Sequence, residues 1–249
     1  MPIKSSKTYQ RVYDNFNTWR EKNQYSDYAE NTFLAFFQEH ANLNANSSTM
    51  WTHFSMLKRL MSINHGIDLS SYKNLKLYLK KLNKGYQPKK SPVFTRNQFM
   101  QFLNEAPDDK YLGVKVVLMM GVLGACRCDD LVYLKTDQIQ DLESILYITL
   151  KERNDQLIRT FTIAGDIYID IYRKFLSLRP SDYKDSRFFL NYTNGRCVRS
   201  PMGKHTIASV PRKVANYLNL PDWKEYTGLC LKQSTPNVTG IYRKSRNSY

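Results

Sequence analysis

Apolar residues recur every three or four positions through most of the first 82 residues, and that spacing predicts a run of helices. In TYQRVYDNFNTWREKN, Tyr9, Val12, Tyr13, Phe16 and Trp19 share one helical face. AENTFLAFFQEHANL groups Phe33, Phe36 and Phe37, and TMWTHFSMLKRLMSINHG repeats Trp51, Phe54, Leu57 and Met61. Between these two, the polar break NANSS offers Ser47 or Ser48 as an N-cap, and Gly66 suits a C-cap. YKNLKLYLKKL completes a helical bundle over residues 1–82. Its aromatic stripes fall on the faces a bundle buries, so they read as core and not as platforms for stacked bases.

The period is lost in NKGYQPKKSPVFT, residues 83–95, where glycine, two prolines and three lysines predict an extended basic linker. Beyond it, Thr95-Arg-Asn-Gln98 is a capping box that opens the helix of QFMQFLNEA. A second helix is expected through DDKYLGVKVVLMMGVLGA. The period then changes from 3.6 to two in SILYITLKERNDQLIRTFTIAG. There Ile145, Tyr147 and Thr149 alternate with Leu146, Ile148 and Leu150, and Arg-Asn-Asp-Gln makes a turn. Leu157, Arg159, Phe161 and Ile163 mark the return strand of a β-hairpin. GDIYIDIYRKFLSLRP reads as helix, FFLNYTNGRCVR as extended chain or loop, and MGKHTIASVPRKVANYLNL as one more helix. The expected fold is mainly α: an N-terminal helical bundle, then a helical domain over 96–249 that holds a small hairpin.

Charge narrows the function. Across 249 residues, 37 lysines and arginines face 22 acidic groups, a formal charge of +15. An excess of that size favours a polyanion, with nucleic acid first and an acidic membrane surface second. No stretch approaches the roughly 18 apolar residues of a membrane span, and MPIKSSKTYQ has no apolar signal core, so neither a membrane nor secretion is expected. The sequons at Asn46, Asn191 and Asn237 then carry no glycan. Cys126, Cys128, Cys197 and Cys230 form one C-x-C and two singletons, which matches no common zinc pattern. They read as free thiols in a reducing compartment, with no metal and no cofactor.

The chemistry concentrates in LGACRCDDL, residues 123–131, directly after the apolar run VKVVLMMGV. A guanidinium arriving where burial is expected needs an anion to meet it. Arg127 either pairs with Asp129 or Asp130 at a helix end, or waits for a ligand such as phosphate; the motif alone leaves both open.

Taken together, TMWTHFSMLKRLM, PKKSPVFT, GVLGACRCDDLVYL, ITLKERNDQLIRTFTI and VANYLNLPDWKEYTGLCLKQST resemble the tyrosine recombinases (integrases). The likeness is nearest to Crypton-type elements and to host genes derived from such transposable elements, and it runs along nearly the whole chain. It implies a core-binding-like first domain and a catalytic-like second domain that close on duplex DNA. It also implies a site in which two arginines, a hairpin lysine and a histidine surround the scissile phosphate while a tyrosine attacks. Planar guanidinium forks suit a phosphoryl group that gains charge in its transition state. By this resemblance Arg127 is the first arginine, Asp130 the acidic residue that holds it from one helical turn away, and Lys151 the hairpin lysine. Lys58, Arg59, Lys89, Lys90 and Arg96 are the expected phosphate contacts.

The second box departs from the pattern. Tyr226-Thr-Gly-Leu229-Cys230-Leu231-Lys232 has leucine where the family has histidine, and Lys232 in place of the second arginine keeps charge but loses the fork. Pro236 breaks the helix that should follow, and His205, at the start of its own segment, does not replace the missing histidine. Only Tyr242 and Tyr249 follow as candidate nucleophiles. The resemblance therefore implies a nuclear duplex-DNA-binding protein, compatible with a homo-oligomer, that has lost strand transfer. An active recombinase and a protein-interaction scaffold are the alternatives.

Overall fold

Phe16, Phe33, Phe36 and Phe37 are all fully buried in the first unit, where the stripe residues predicted a core. The structure is a computed structural model that describes residues 3–43, 46–84, 90–151 and 158–240. The chain divides into two units, residues 1–89 and 90–249. In the first, helices α1 (Ile3–Lys22), α2 (Glu30–Asn42), α3 (Ser47–His65) and α4 (Lys73–Leu82) surround that core. Phe16 stacks on Phe33 with centroids 4.5 Å apart and meets Phe36 edge-on at 5.1 Å. Such pairs add about 0.5–1.5 kcal/mol each beyond the area they bury. Gly66 ends α3 in the left-handed region at φ 67°, as expected of a C-cap. The N-cap is Asn46, not Ser47 or Ser48: its side chain accepts the Ser48 N–H at 3.0 Å.

The second unit opens on the Thr95 capping box, in which Thr95 Oγ1 accepts the Gln98 N–H and Gln98 Oε1 accepts the Thr95 N–H. Helix α5 (Arg96–Glu105) follows, then α6 (Asp108–Leu123), α7 (Cys128–Val132), and a three-stranded antiparallel sheet of β1 (Ile139–Asp141), β2 (Ile145–Lys151) and β3 (Ile158–Ala164). Helix α6 is buried on nearly every side, from Leu112 to Val122, which is why its sequence is a continuous apolar run without amphipathic period. β2 and β3 pair as the alternation predicts, with Lys151 opposite Ile158 and Leu150 opposite Arg159. The Arg-Asn-Asp-Gln turn lies outside the described residues.

After α8 (Asp166–Ser177), the segment left open between extended chain and loop is a second hairpin, β4 (Leu190–Thr193) and β5 (Arg196–Pro201). Its turn residues Asn194 and Gly195 both have positive φ, 50° and 75°, the geometry that asparagine and glycine adopt most easily. The helix expected over MGKHTIASVPRKVANYLNL is two, α9 (Lys204–Ala208) and α10 (Val210–Tyr217), because Pro211 supplies no N–H and starts a new helix instead. The end of the described chain holds α11 (Leu229–Gln233) and α12 (Thr235–Thr239), with Pro236 in the first turn of the latter. No helix among the described residues is long and apolar enough to cross a membrane.

Candidate functional site

The site grows from the way α6 ends. Its C-cap is Gly124, and the next residue, Ala125, takes the left-handed region at φ 48°. The Cys126 N–H donates to Gly121 O at 2.9 Å and the Ala125 N–H to Val122 O at 3.2 Å, the two reversed bonds of a Schellman motif. Glycine would suit the left-handed position better, yet glycine occupies 124 for a different reason. A Cβ there would lie 2.4 Å from Cζ of Phe161 on β3, so the residue must lack one.

That reversal throws the chain outward at Arg127, which is exposed and not buried as the preceding apolar run suggested. Its backbone caps α7 at φ −79°, ψ 157°, and its N–H donates to Asp130 Oδ2 at 2.8 Å, the reciprocal half of a capping box. Asp130 was expected to hold the Arg127 guanidinium. It holds the Arg127 backbone instead, and the oxygen that does so also accepts from another arginine. Arg159 on β3 donates Nη2–H to the same Oδ2 at 2.9 Å and Nη1–H to Ala125 O at 3.1 Å, with Cys126 Sγ at 3.8 Å from Nη2. The guanidinium of Arg127 is exposed and has no ion-pair partner among the described residues.

The second box lies against this turn. Gly228 packs so closely on Cys128 that a Cβ there would come within 2.4 Å of its sulfur. Leu231 covers Gly121, and the Thr235 hydroxyl donates to Val122 O at 2.6 Å. Cys230 and Leu231 thus face the core, while Leu229 (63% exposed) and Lys232 face outward from α11, at the end of α6 that carries Arg127. Lys204, at the start of α9, pairs with Asp129 at 3.0 Å and adds a further cation beside α7, and His205 next to it is exposed. Lys151 takes its place in β2 by backbone pairing, and Tyr242, Tyr249 and Lys89 lie outside the described residues. Lys90 and Arg96 are exposed in this unit; Lys58 and Arg59 are exposed on α3 of the other.

The thiols around the site are held toward their neutral form by burial. Burial pushes the Cys126 thiol up to about 12, against the pull of Arg159, and raises Cys128 as well. What remains for chemistry at this end of α6 is the exposed Arg127, with Lys232 and Leu229 exposed on α11. This end can bind an anion. It holds no imidazole at Leu229 to move a proton.

No family model and no curated relative matches the chain. Solved structures do. Lambda integrase residues 75–356, as a dimer bound to a COC′ core site, overlays with a TM-score of 0.59 at 11% identity, over 94% of this chain and 79% of that one. The lambda integrase tetramer bound to a Holliday junction gives 0.55 at 11% identity, over 92% and 67%. This is a tyrosine-recombinase fold. The chain also aligns with the XerH recombinase bound to its difH substrate (TM-score 0.46, 16% identity, 73% of this chain), of which it spans 57% of the length. At such identities the recombinase likeness lies in the order of helices and the small antiparallel sheet, and the side chains of the site must be judged on their own geometry. Arg159 escaped the sequence reading. The available signal was a charge in the apolar phase of β3, between Phe161 and the hairpin turn.

Proposed function

We propose that this protein binds duplex DNA through its phosphates, by descent from a tyrosine recombinase, and does not transfer strands. The observation that carries the reading is that Arg127, exposed and with no ion-pair partner among the described residues, and the exposed Leu229 lie at the same end of α6. The first keeps the means to grip a phosphate. The second removes a hydrogen-bond donor and proton carrier from the place where the family has histidine. Lys232 stays positive there but offers a point charge in place of a fork. The net charge of +15 supplies the long-range attraction. Lys90, Arg96, Lys151 and, from the first unit, Lys58 and Arg59 are the further contacts of this proposal, with Lys89 in the linker. The Crypton-type origin and nuclear residence belong to the same proposal and rest on the sequence phrases that carry the resemblance.

Mobility-shift titrations of duplex DNA over a salt series test it. Binding should weaken steeply with salt, and Arg127→Ala should lower the slope of log K by about 0.9, the loss of one phosphate contact. A nicked suicide duplex should yield no denaturant-resistant adduct. An adduct would restore the active-recombinase reading, and absence of binding at low salt would leave a protein-interaction scaffold.

A further inference from the structure

The proposed phosphate grip depends on how the Arg127 turn is held. Ala125 sits in a left-handed conformation that an L-residue adopts only at a cost, and α7 is a single five-residue helix. Among the described residues, the side-chain bonds of Arg159 all go to this turn: to the carbonyl of Ala125, the sulfur of Cys126 and the carboxylate of Asp130. The pair with Asp130 is partly shielded, both side chains being 27% exposed, so it is less screened than a surface pair. The same Asp130 oxygen accepts the Arg127 N–H. Arg159 also stands opposite Leu150 in the ladder, one step from the Lys151–Ile158 pair.

We propose that Arg159 is a positioning residue, which fixes Arg127 for phosphate and ties it to the hairpin that carries Lys151. The inference rests on the DNA-binding reading above. It needs an arginine: one nitrogen of the fork satisfies a carbonyl while the other meets a carboxylate, and a lysine ammonium cannot span both in this planar geometry. With its donors turned to Ala125 and Asp130, Arg159 acts on the ligand through Arg127 and does not touch it.

A double-mutant cycle on duplex affinity at fixed salt separates these roles. Arg127→Ala should weaken binding about tenfold, which corresponds to 1.4 kcal/mol. Arg159→Ala should weaken the wild type by up to the same factor, yet change the Arg127→Ala protein less than twofold. An equal, multiplicative loss in both backgrounds overturns the proposal, since Arg159 would then act independently of Arg127. So does wild-type affinity in Arg159→Ala. Arg159→Lys, which retains the charge and can still reach Asp130, is the milder variant should the alanine protein lose its fold, as exposure of the buried thiols would show. It should give a smaller loss that again vanishes without Arg127, and full wild-type affinity in it overturns the proposal as well. An Arg127→Ala protein that binds like wild type would remove the phosphate reading itself, and this inference with it.

Discussion

Gly124 and Ala125 exchange the duties that their side chains would suggest, and reversing them gives a test with two opposite signs. A Cβ added at Gly124 would stand 2.4 and 2.6 Å from Cζ and Cε2 of Phe161, and 2.8 Å from Cys126 Sγ. Ordinary carbon contacts begin near 3.5 Å, so the Phe161 ring must retreat by about 1 Å from the end of α6. The ring is part of the packing between β3 and α6, and forced displacement of this kind costs about 1–3 kcal/mol. Ala125→Gly should do the reverse. Its φ of 48° is one that glycine adopts freely, and the gain is offset only in part by the larger chain entropy of unfolded glycine. A net stabilisation of about 0.5–1 kcal/mol follows. Urea unfolding of both variants, followed by a probe of the second unit, reads the two midpoints at constant m. A Gly124→Ala protein as stable as wild type, or an Ala125→Gly protein that is less stable, would refute the account of how α6 ends.

Further outcomes concern a buried ion pair, acid and the thiols. Lys115 on α6 is buried (side chain 5% exposed), with its ammonium 2.7 Å from Asp108, which also meets Lys174 at 3.2 Å. Asp108→Asn strands that ammonium and should cost about 3 kcal/mol, whereas Lys115→Met, which fills the same space without charge, should be close to neutral; equal losses in urea unfolding would contradict the assignment. Burial alone would raise the Asp108 carboxyl, but Lys115 and Lys174 hold it below its ordinary value. Its stabilising pairing is therefore complete above pH 4 and lost as pH falls through its lowered pKa. Asp185, held down to about 2 by the Arg187 side chain and backbone, acts in the same direction. An acid titration should show the second unit weakening below about pH 4, with part of that dependence absent in Asp108→Asn. Among the thiols, alkylation of the native protein at pH 8 should reach only half-buried Cys128, and slowly, because burial raises Cys126 to about 12 and Cys197 and Cys230 to about 11. Mass spectrometry that finds Cys126 modified first would refute this.

Much of the fold was written in periodicity. The aromatic stripes of the first 82 residues, the Thr95 box, Gly66 and the β2–β3 alternation each found their place, because each is a local rule with a strong spacing signal. What was missed obeys weaker signals. β1 is three residues long, too short to show a period, and exists because Ile139–Asp141 can pair with Leu146–Ile148. The second hairpin announced itself only through Asn194-Gly195. The contact between Gly228 and Cys128, which brings Leu229 to the end of α6 that carries Arg127, joins positions 100 residues apart and no local pattern encodes it.

The arginines show why the site in particular needed the structure. An arginine in an apolar stretch poses a physical question: which anion meets it? Along the sequence that question attaches to Arg127, since it follows nine residues of nearly unbroken helix core. In the fold it belongs to Arg159. This residue shares the inward phase of β3 with Phe161 and Ile163, and it is the one shielded enough to require Asp130. The motif's acidic residue is thus shared between the hairpin arginine and the Arg127 N–H, and the Arg127 side chain stands exposed with no ion-pair partner among the described residues. Under the proposed function this exposed charge, at a turn built from a strained alanine and a shared carboxylate, is the one that meets a phosphate. Under that proposal the net charge of +15 points to a polyanion, and Leu229, which has no imidazole, stands where the sequence resemblance implies a histidine.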